Sequence, residues 1–281
     1  MNKINIISAV ILSACLYFTT AAADTMPVVP QAPVSTVNPG DGVIPAGNDN
    51  QASPVGSIYV GIGTGFMFPH LTHTTNFTTS GLSFLPSLQD KYVTNHAKSS
   101  IEASFLAGYR WQCQSQWLSA LSLGVEYTYS RPELSGNIFK FSLPQAKIFQ
   151  YKYKVAEQAI LLKLKFNFHE WHHFSPYASV GAGIAVNHVY GYTTGLLPNV
   201  PPGYSSLGNF ASATTTNFAD SFGAGIDYWV NNNLQLSLGY EYTHYGVVRT
   251  GYGSGVLAND RLSNSLSSNA VTLSIVRFFQ G

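Results

Sequence analysis

From Val55 onward the hydrophobic pattern has a period of two, and the face alternating with the apolar residues is small and polar with few charges. Ile58, Val60, Ile62 and Phe66 interleave with Tyr59, Gly61, Gly63 and Gly65, and Ile101, Ala103, Phe105, Ala107 and Tyr109 with Glu102, Ser104, Gly108 and Arg110. The alternation recurs over Trp117–Tyr129, Ile160–Phe168, Ala178–Val186, Phe222–Tyr228, Leu234–Tyr242 and Val271–Phe279, which predicts eight strands. A soluble sandwich buries its apolar face and turns a well-charged face to water. Here the second face is mostly Gly, Ser and Thr, while the apolar face carries Trp117, Tyr127, Tyr129, Phe168, Tyr228 and Tyr242 near strand ends. Apolar outside, small and polar inside, with aromatic residues at both ends, is the pattern of a barrel in lipid.

The connections point the same way. Those at Pro69–Lys98, Arg131–Gln150, Gly191–Ala213 and Arg249–Asn264 are long, whereas Gln112–Gln116, His169–Phe174 and Asn231–Asn233 are short. Strict alternation of long and short connections is the outer-loop and periplasmic-turn asymmetry of outer-membrane barrels. The expected fold is therefore all-β: a closed, eight-stranded, antiparallel, up-and-down transmembrane β-barrel over residues 55–281. A bulge with a phase shift is expected within Lys154–Gln158, where the alternation changes sense.

Composition excludes other classes. With 45% hydrophobic, 14% aromatic and only 10% charged residues, the 281-residue chain has too much apolar surface for a disordered protein. A formal net charge of +1 argues against nucleic acid as a partner. Residues 1–23 have the layout of a signal peptide: Lys3, the mostly apolar Ile6–Phe18, and Ala21-Ala22-Ala23, after which cleavage is expected. Leu12-Ser13-Ala14-Cys15 also fits a lipobox, so lipidation of Cys15 stands as the alternative. Residues 24–54 hold Pro27, Pro30, Pro33, Pro39, Pro45 and Pro54 and read as an extended periplasmic tether.

Ile58-Tyr59-Val60-Gly61-Ile62-Gly63, the run Pro176–Gly183, Phe222-Gly223-Ala224-Gly225-Ile226-Asp227-Tyr228 and Leu238-Gly239-Tyr240-Glu241-Tyr242 resemble strands of the OmpA-like and opacity-type small outer-membrane β-barrel superfamily. The resemblance covers about Val55–Phe279. It implies a Gram-negative outer-membrane location and a terminal strand read by the barrel-assembly machinery. Val271, Leu273, Ile275 and Phe279 fit such a strand, with Arg277 in place of an apolar residue and Gln280-Gly281 after the final Phe.

Candidate functional residues fall into groups. Glu102, Arg110, Glu126, Lys163, Lys165, Asp227 and Glu241 are expected to face the lumen, where opposite charges should pair. Arg131, Lys140, Lys147, Lys152 and Lys154 are candidate contacts for lipopolysaccharide phosphates. His169-Glu170-Trp171-His172-His173 spells H-E-x-x-H, yet it lies in a short turn, whereas the zinc-protease chemistry requires a helix. No cofactor is expected. The function expected first is non-enzymatic: a structural or adhesin-like surface protein whose loops meet outer-membrane lipid, lipopolysaccharide, or host or environmental ligands. A narrow porin-like channel for small solutes is the second reading. An enzyme acting on lipid A or peptides, with His188 and His244 near the outer strand ends, is the third.

Overall fold

The computed structural model describes residues 56–280 apart from 73, 80–87, 114, 116, 199 and 201–207. The expected leader and Pro-rich tether lie outside the described residues. The elements are β1 (Ser57–Thr72), β2 (Thr74–Thr79), β3 (Leu88–Lys98), β4 (Ser100–Gln112), β5 (Leu118–Ser130), β6 (Glu133–Phe139), β7 (Lys147–Phe168), β8 (Phe174–Leu196), β9 (Ala213–Asn231), β10 (Leu234–Arg249) and β11 (Ser263–Gln280). Every pairing is antiparallel. The order β7-β5-β4-β1-β11-β10-β9-β8 closes on itself through the β7–β8 ladder, so eight strands form a ring. Closure gives each backbone donor and acceptor of the ring a partner, which lipid cannot supply.

The wall has the expected phase. Ile58, Ile62, Phe66, Ile101, Phe105, Ile160, Leu162, Phe222, Leu238 and Leu273 stand exposed on the outside. Glu102, Arg110, Ser122, Glu126, Asp227 and Ser237 are buried inside. Close packing in so narrow a lumen explains the inward glycines. A Cβ on Gly108 or Gly124 would collide with the Tyr59 hydroxyl, and one on Gly225 or Gly239 with the Tyr177 ring. Two inward tyrosines thus lie across floors of paired glycines.

The structure corrects the reading of the long connections. Much of what reads as loop is strand: β2, β3 and β6 lie entirely beyond the expected strands, and β7 and β8 run for 22 and 23 residues. β3 pairs with β6 and β6 with the first half of β7, so the wall continues past the ring as an extension. The expected bulge at Lys154–Gln158 is also absent. Phe149, Tyr151, Tyr153, Val155, Glu157, Ala159 and Leu161 are all buried, so β7 keeps one phase from Phe149 to Leu161. The irregularity lies across the ladder in β8, where Lys152 and Lys154 pair with Thr193 and Tyr190 and leave Gly191 (φ 66°) in the bulge. A second bulge falls between His244 and Gly246, and Gly246 also takes a positive φ of 78°.

Above the ring the inward residues become apolar. Met67, Tyr92, Leu134, Phe149, Tyr151, Tyr153, Val189, Phe210, Tyr245, Leu257 and Leu266 form one buried cluster. The chain therefore has a lipid-facing wall with a polar interior, continued by an extension with an apolar core.

The Tyr59 packing generates a test. Gly124→Val should destabilise the barrel by about 1–3 kcal/mol through overpacking, read as a lower urea midpoint in detergent micelles. Gly195→Ala, at a position with nothing within 4 Å of an added Cβ, should leave the midpoint unchanged.

Candidate functional site

Alternation along eight strands brings the lumen groups together in tiers. At the tight-turn end, the Arg110 guanidinium lies 4.9 Å from the Trp229 ring centroid and 5.5 Å from that of Phe278. Trp229 and Phe278 pack with centroids 5.0 Å apart, and Tyr59 adds a third ring 5.7 Å from Phe278. This end is closed by a cation held among aromatic faces.

The next tier is ionic. Lys163 on β7 bridges Glu126 on β5 and Glu241 on β10. One turn of the pleat away, Lys165 Nζ donates to Asp227 Oδ1 at 2.8 Å and sits 3.8 Å from the Tyr177 ring centroid. Asp227 also accepts from Asn167 Nδ2 at 2.6 Å and from Ser237 Oγ at 2.5 Å. The partners come from the neighbouring strand β5 and, past β8, from β9 and β10, so these bonds reach through the lumen and tie β5, β7, β9 and β10 together. The space left between the lower two tiers is a cavity of about 70 Å³, lined by Arg110, Glu126, Lys163, Lys165, Tyr177 and Glu241 among others. That holds a few waters and no larger solute.

Further up, Glu102 accepts from the Tyr245 hydroxyl at 3.1 Å and Glu157 from Ser130 Oγ at 3.0 Å. The aromatic core closes the other end. Tyr151 shares a hydrogen bond of 2.7 Å with Thr94 Oγ1, Asn264 Nδ2 donates to Tyr153 OH at 2.9 Å, and Phe210 packs edge-on against Tyr192 with centroids 5.1 Å apart. Burial, with Asp90 and Asp260 nearby, pushes the Tyr92 hydroxyl above the usual tyrosine range.

The seven lumen candidates all lie in this interior. Lys163 and Lys165 have carboxylate partners, Arg110 has rings instead, and Glu102 has a hydroxyl. Glu157 belongs with them and sequence reasoning missed it. Its parity matches Lys163 and Lys165 on β7, but it falls within Lys154–Gln158, the site of the expected phase shift.

The lipopolysaccharide candidates separate. Arg131 is exposed at the break between β5 and β6, 5.0 Å from the Tyr129 ring centroid. Lys147, Lys152 and Lys154 are exposed on β7. Lys140 is half-buried and bonded to Asp90 at 3.0 Å, so its charge is already met within the chain. Beside Lys152, an open polar groove of about 470 Å³ crosses β3, β6, β7 and β8, with Asn95, His96, Glu133 and Gln150 along it.

The histidine motif forms a hairpin turn. Trp171 and Phe174 exchange both backbone bonds, at 2.8 and 3.0 Å, and His172 takes a φ of 56°. The two outer histidines of the motif therefore do not share a helix face, and the geometry does not suit zinc proteolysis. His188 stacks on Tyr190 and bonds Thr214 Oγ1 at 2.8 Å, whereas His244 lies beside Asp220.

Residues 51–277 match the family described as outer membrane protein beta-barrel domain. No curated protein matches the chain. Among solved structures, OprG from Pseudomonas aeruginosa aligns at 13% identity over 82% of this chain and 99% of its own, with a TM-score of 0.46. Neisserial surface protein A aligns at 13% identity over 79% and 97%, with a TM-score of 0.39. The outer membrane protease OmpT from Escherichia coli aligns at 11% identity over 79% and 97%, also with a TM-score of 0.39.

Two substitutions probe the buried lumen charges in opposite directions. Lys163→Ala leaves Glu126 and Glu241 facing each other and should destabilise the fold by about 3 kcal/mol, seen as a lower temperature of heat-modifiability on a gel. Glu157→Gln removes a buried acid that, among the described residues, bonds a serine hydroxyl and no base, and should leave that temperature unchanged or raise it.

Proposed function

The chain belongs to the outer membrane protein beta-barrel domain family, and on that premise we propose that it acts through its outer surface, with its lumen serving as a sealed support. The location is the outer membrane, and the wall is a closed eight-stranded barrel. The observation that carries the reading is the filled interior. An arginine among aromatic rings closes one end, lysine–carboxylate bonds cross the middle, and a tyrosine-rich core closes the other end. An eight-stranded ring is just wide enough for side chains to fill, and here rigid, mutually bonded groups fill it. This favours a surface role over a diffusion channel.

The partner class proposed first is anionic lipopolysaccharide. Lys147, Lys152 and Lys154 present cations along the outward face of β7, and Arg131 adds another at its neighbour's edge. Such cations bind phosphate oxygens through charge-assisted bonds. The polar groove beside Lys152 gives sugars a surface rich in donors and acceptors.

Single-channel recording in a planar bilayer tests the sealed lumen. The folded, heat-modifiable protein should give no discrete conductance steps, and reproducible steps would replace this reading with transport. For the surface, Lys147, Lys152 and Lys154 changed together to Glu should weaken binding to lipopolysaccharide vesicles at least several-fold. Wild-type binding should fall as salt rises. Equal binding by the triple variant would remove the cations from the account.

A further inference from the structure

On the lipid-facing side of the wall, at the outer end of β9, β10 and β11, three side chains form a hydrogen-bonded row. His244 Nδ1 lies 3.3 Å from Asp220 Oδ1, and His244 Nε2 lies 3.4 Å from Ser265 Oγ. With Nδ1–H donating to the carboxylate, Nε2 is free to accept from the serine hydroxyl. The backbone explains how residues so far apart in sequence meet. Asp220 is the cross-strand partner of His244 on β9, and Ser267 is its partner on β11. Just beyond, the bulge at Gly246 pairs Ser265 with Val247 and sets Ser265 diagonal to the ring.

The depth of the row is as informative as its order. Toward the tight-turn end the same three strands present Phe222, Leu238, Tyr240, Val271 and Leu273, all exposed and apolar or aromatic. Tyr240 OH donates to Asn269 Oδ1 at 2.7 Å where the surface turns polar. Asp220 is flanked on its own strand by exposed Phe222 and Phe218. The His244 and Asp220 side chains are 39% and 33% exposed, so the row is open to whatever adjoins the wall. At this edge of the apolar band, acyl chains give way to the ester linkages and headgroups of the outer leaflet. Arg249 at the end of β10, its Nε 3.4 Å from Ser263 Oγ, adds a cation beside the β11 position two residues from Ser265, suited to a lipid phosphate.

We propose that Ser265, His244 and Asp220 form an esterase site for ester-linked acyl chains of outer-leaflet lipids, a site separate from the sealed lumen and independent of the surface role. Ser265 Oγ attacks the ester carbonyl carbon as His244 Nε2 takes its proton. The tetrahedral intermediate collapses, the C–O bond to the lipid alcohol breaks, and His244 returns the proton to that alcohol. Water, activated by the same nitrogen, then cleaves the Ser265 ester and releases the fatty acid. Asp220 is a positioning residue that holds the tautomer. Among the described residues the His188 ring meets Thr214 and Tyr190 and bonds no carboxylate.

The folded full chain in detergent micelles should release labelled fatty acid from phosphatidylethanolamine vesicles, from lipopolysaccharide carrying labelled ester-linked acyl chains, or from both, and the active arm identifies the source. Ser265→Ala and His244→Ala should abolish release while heat-modifiability is retained. Asp220→Asn should lower kcat on the order of 10⁴-fold with little change in KM. Ser267→Ala, which leaves the bonded row intact, should retain the activity. A fluorophosphonate probe should label Ser265 in the wild type and fail to label His244→Ala. The proposal is overturned if folded protein releases nothing in either arm, or if Ser265→Ala releases as much as the wild type.

Discussion

A strand in hydrocarbon has nothing but another strand to bond with, and every other feature of this protein follows from that constraint. It forces the ring to close through β7 and β8, and eight strands set a lumen barely wider than two facing side chains. Within that width a large inward residue needs a small one opposite, hence Tyr59 over Gly108 and Gly124 and Tyr177 over Gly225 and Gly239. A charge cannot stand alone there, hence Lys163 between two carboxylates and Arg110 between two rings. The bonds that satisfy the lumen groups also obstruct it. Crowding of the lumen is therefore a consequence of making the interior of a narrow barrel stable.

Strand phase inside the membrane is plain in the sequence, because lipid demands apolar residues on every outward position and the resulting alternation is regular. Ile160, Leu162 and Leu164 outside and Lys163, Lys165 and Asn167 inside are as expected from their order alone. The extension is hidden for a physical reason. Beyond the lipid the solvent changes while the backbone phase does not, so β7 buries Phe149, Tyr151 and Tyr153 and exposes Gln150, Lys152 and Lys154. The hydrophobic pattern inverts about Val155–Ala159, and read as sequence that inversion imitates a bulge. The bulges at Gly191 and Gly246 leave no such mark on their strands.

The outward-facing row at Asp220, His244 and Ser265 was no more legible, because its bonds span 24 and 21 residues of sequence. A histidine near a strand end is common. Only register distinguishes His244, with a carboxylate on one side and a hydroxyl on the other, from His188 stacked on Tyr190. The lumen charges are the opposite case. Parity finds them without any knowledge of register, and would have found Glu157 had β7 been taken as unbroken.

The inversion along β7 also acts as a waterline. Sliding the chain outward by two residues would lift Ile160 from hydrocarbon to the level of Gln158, and sliding it inward would draw Gln158 down into hydrocarbon. Either shift is opposed from both ends, on a strand whose ladders fix its neighbours. Vertical position in the bilayer is thus written into the strand by two opposite amphipathic halves sharing one phase. The aromatic side chains at the rim refine a depth that this reversal has already set.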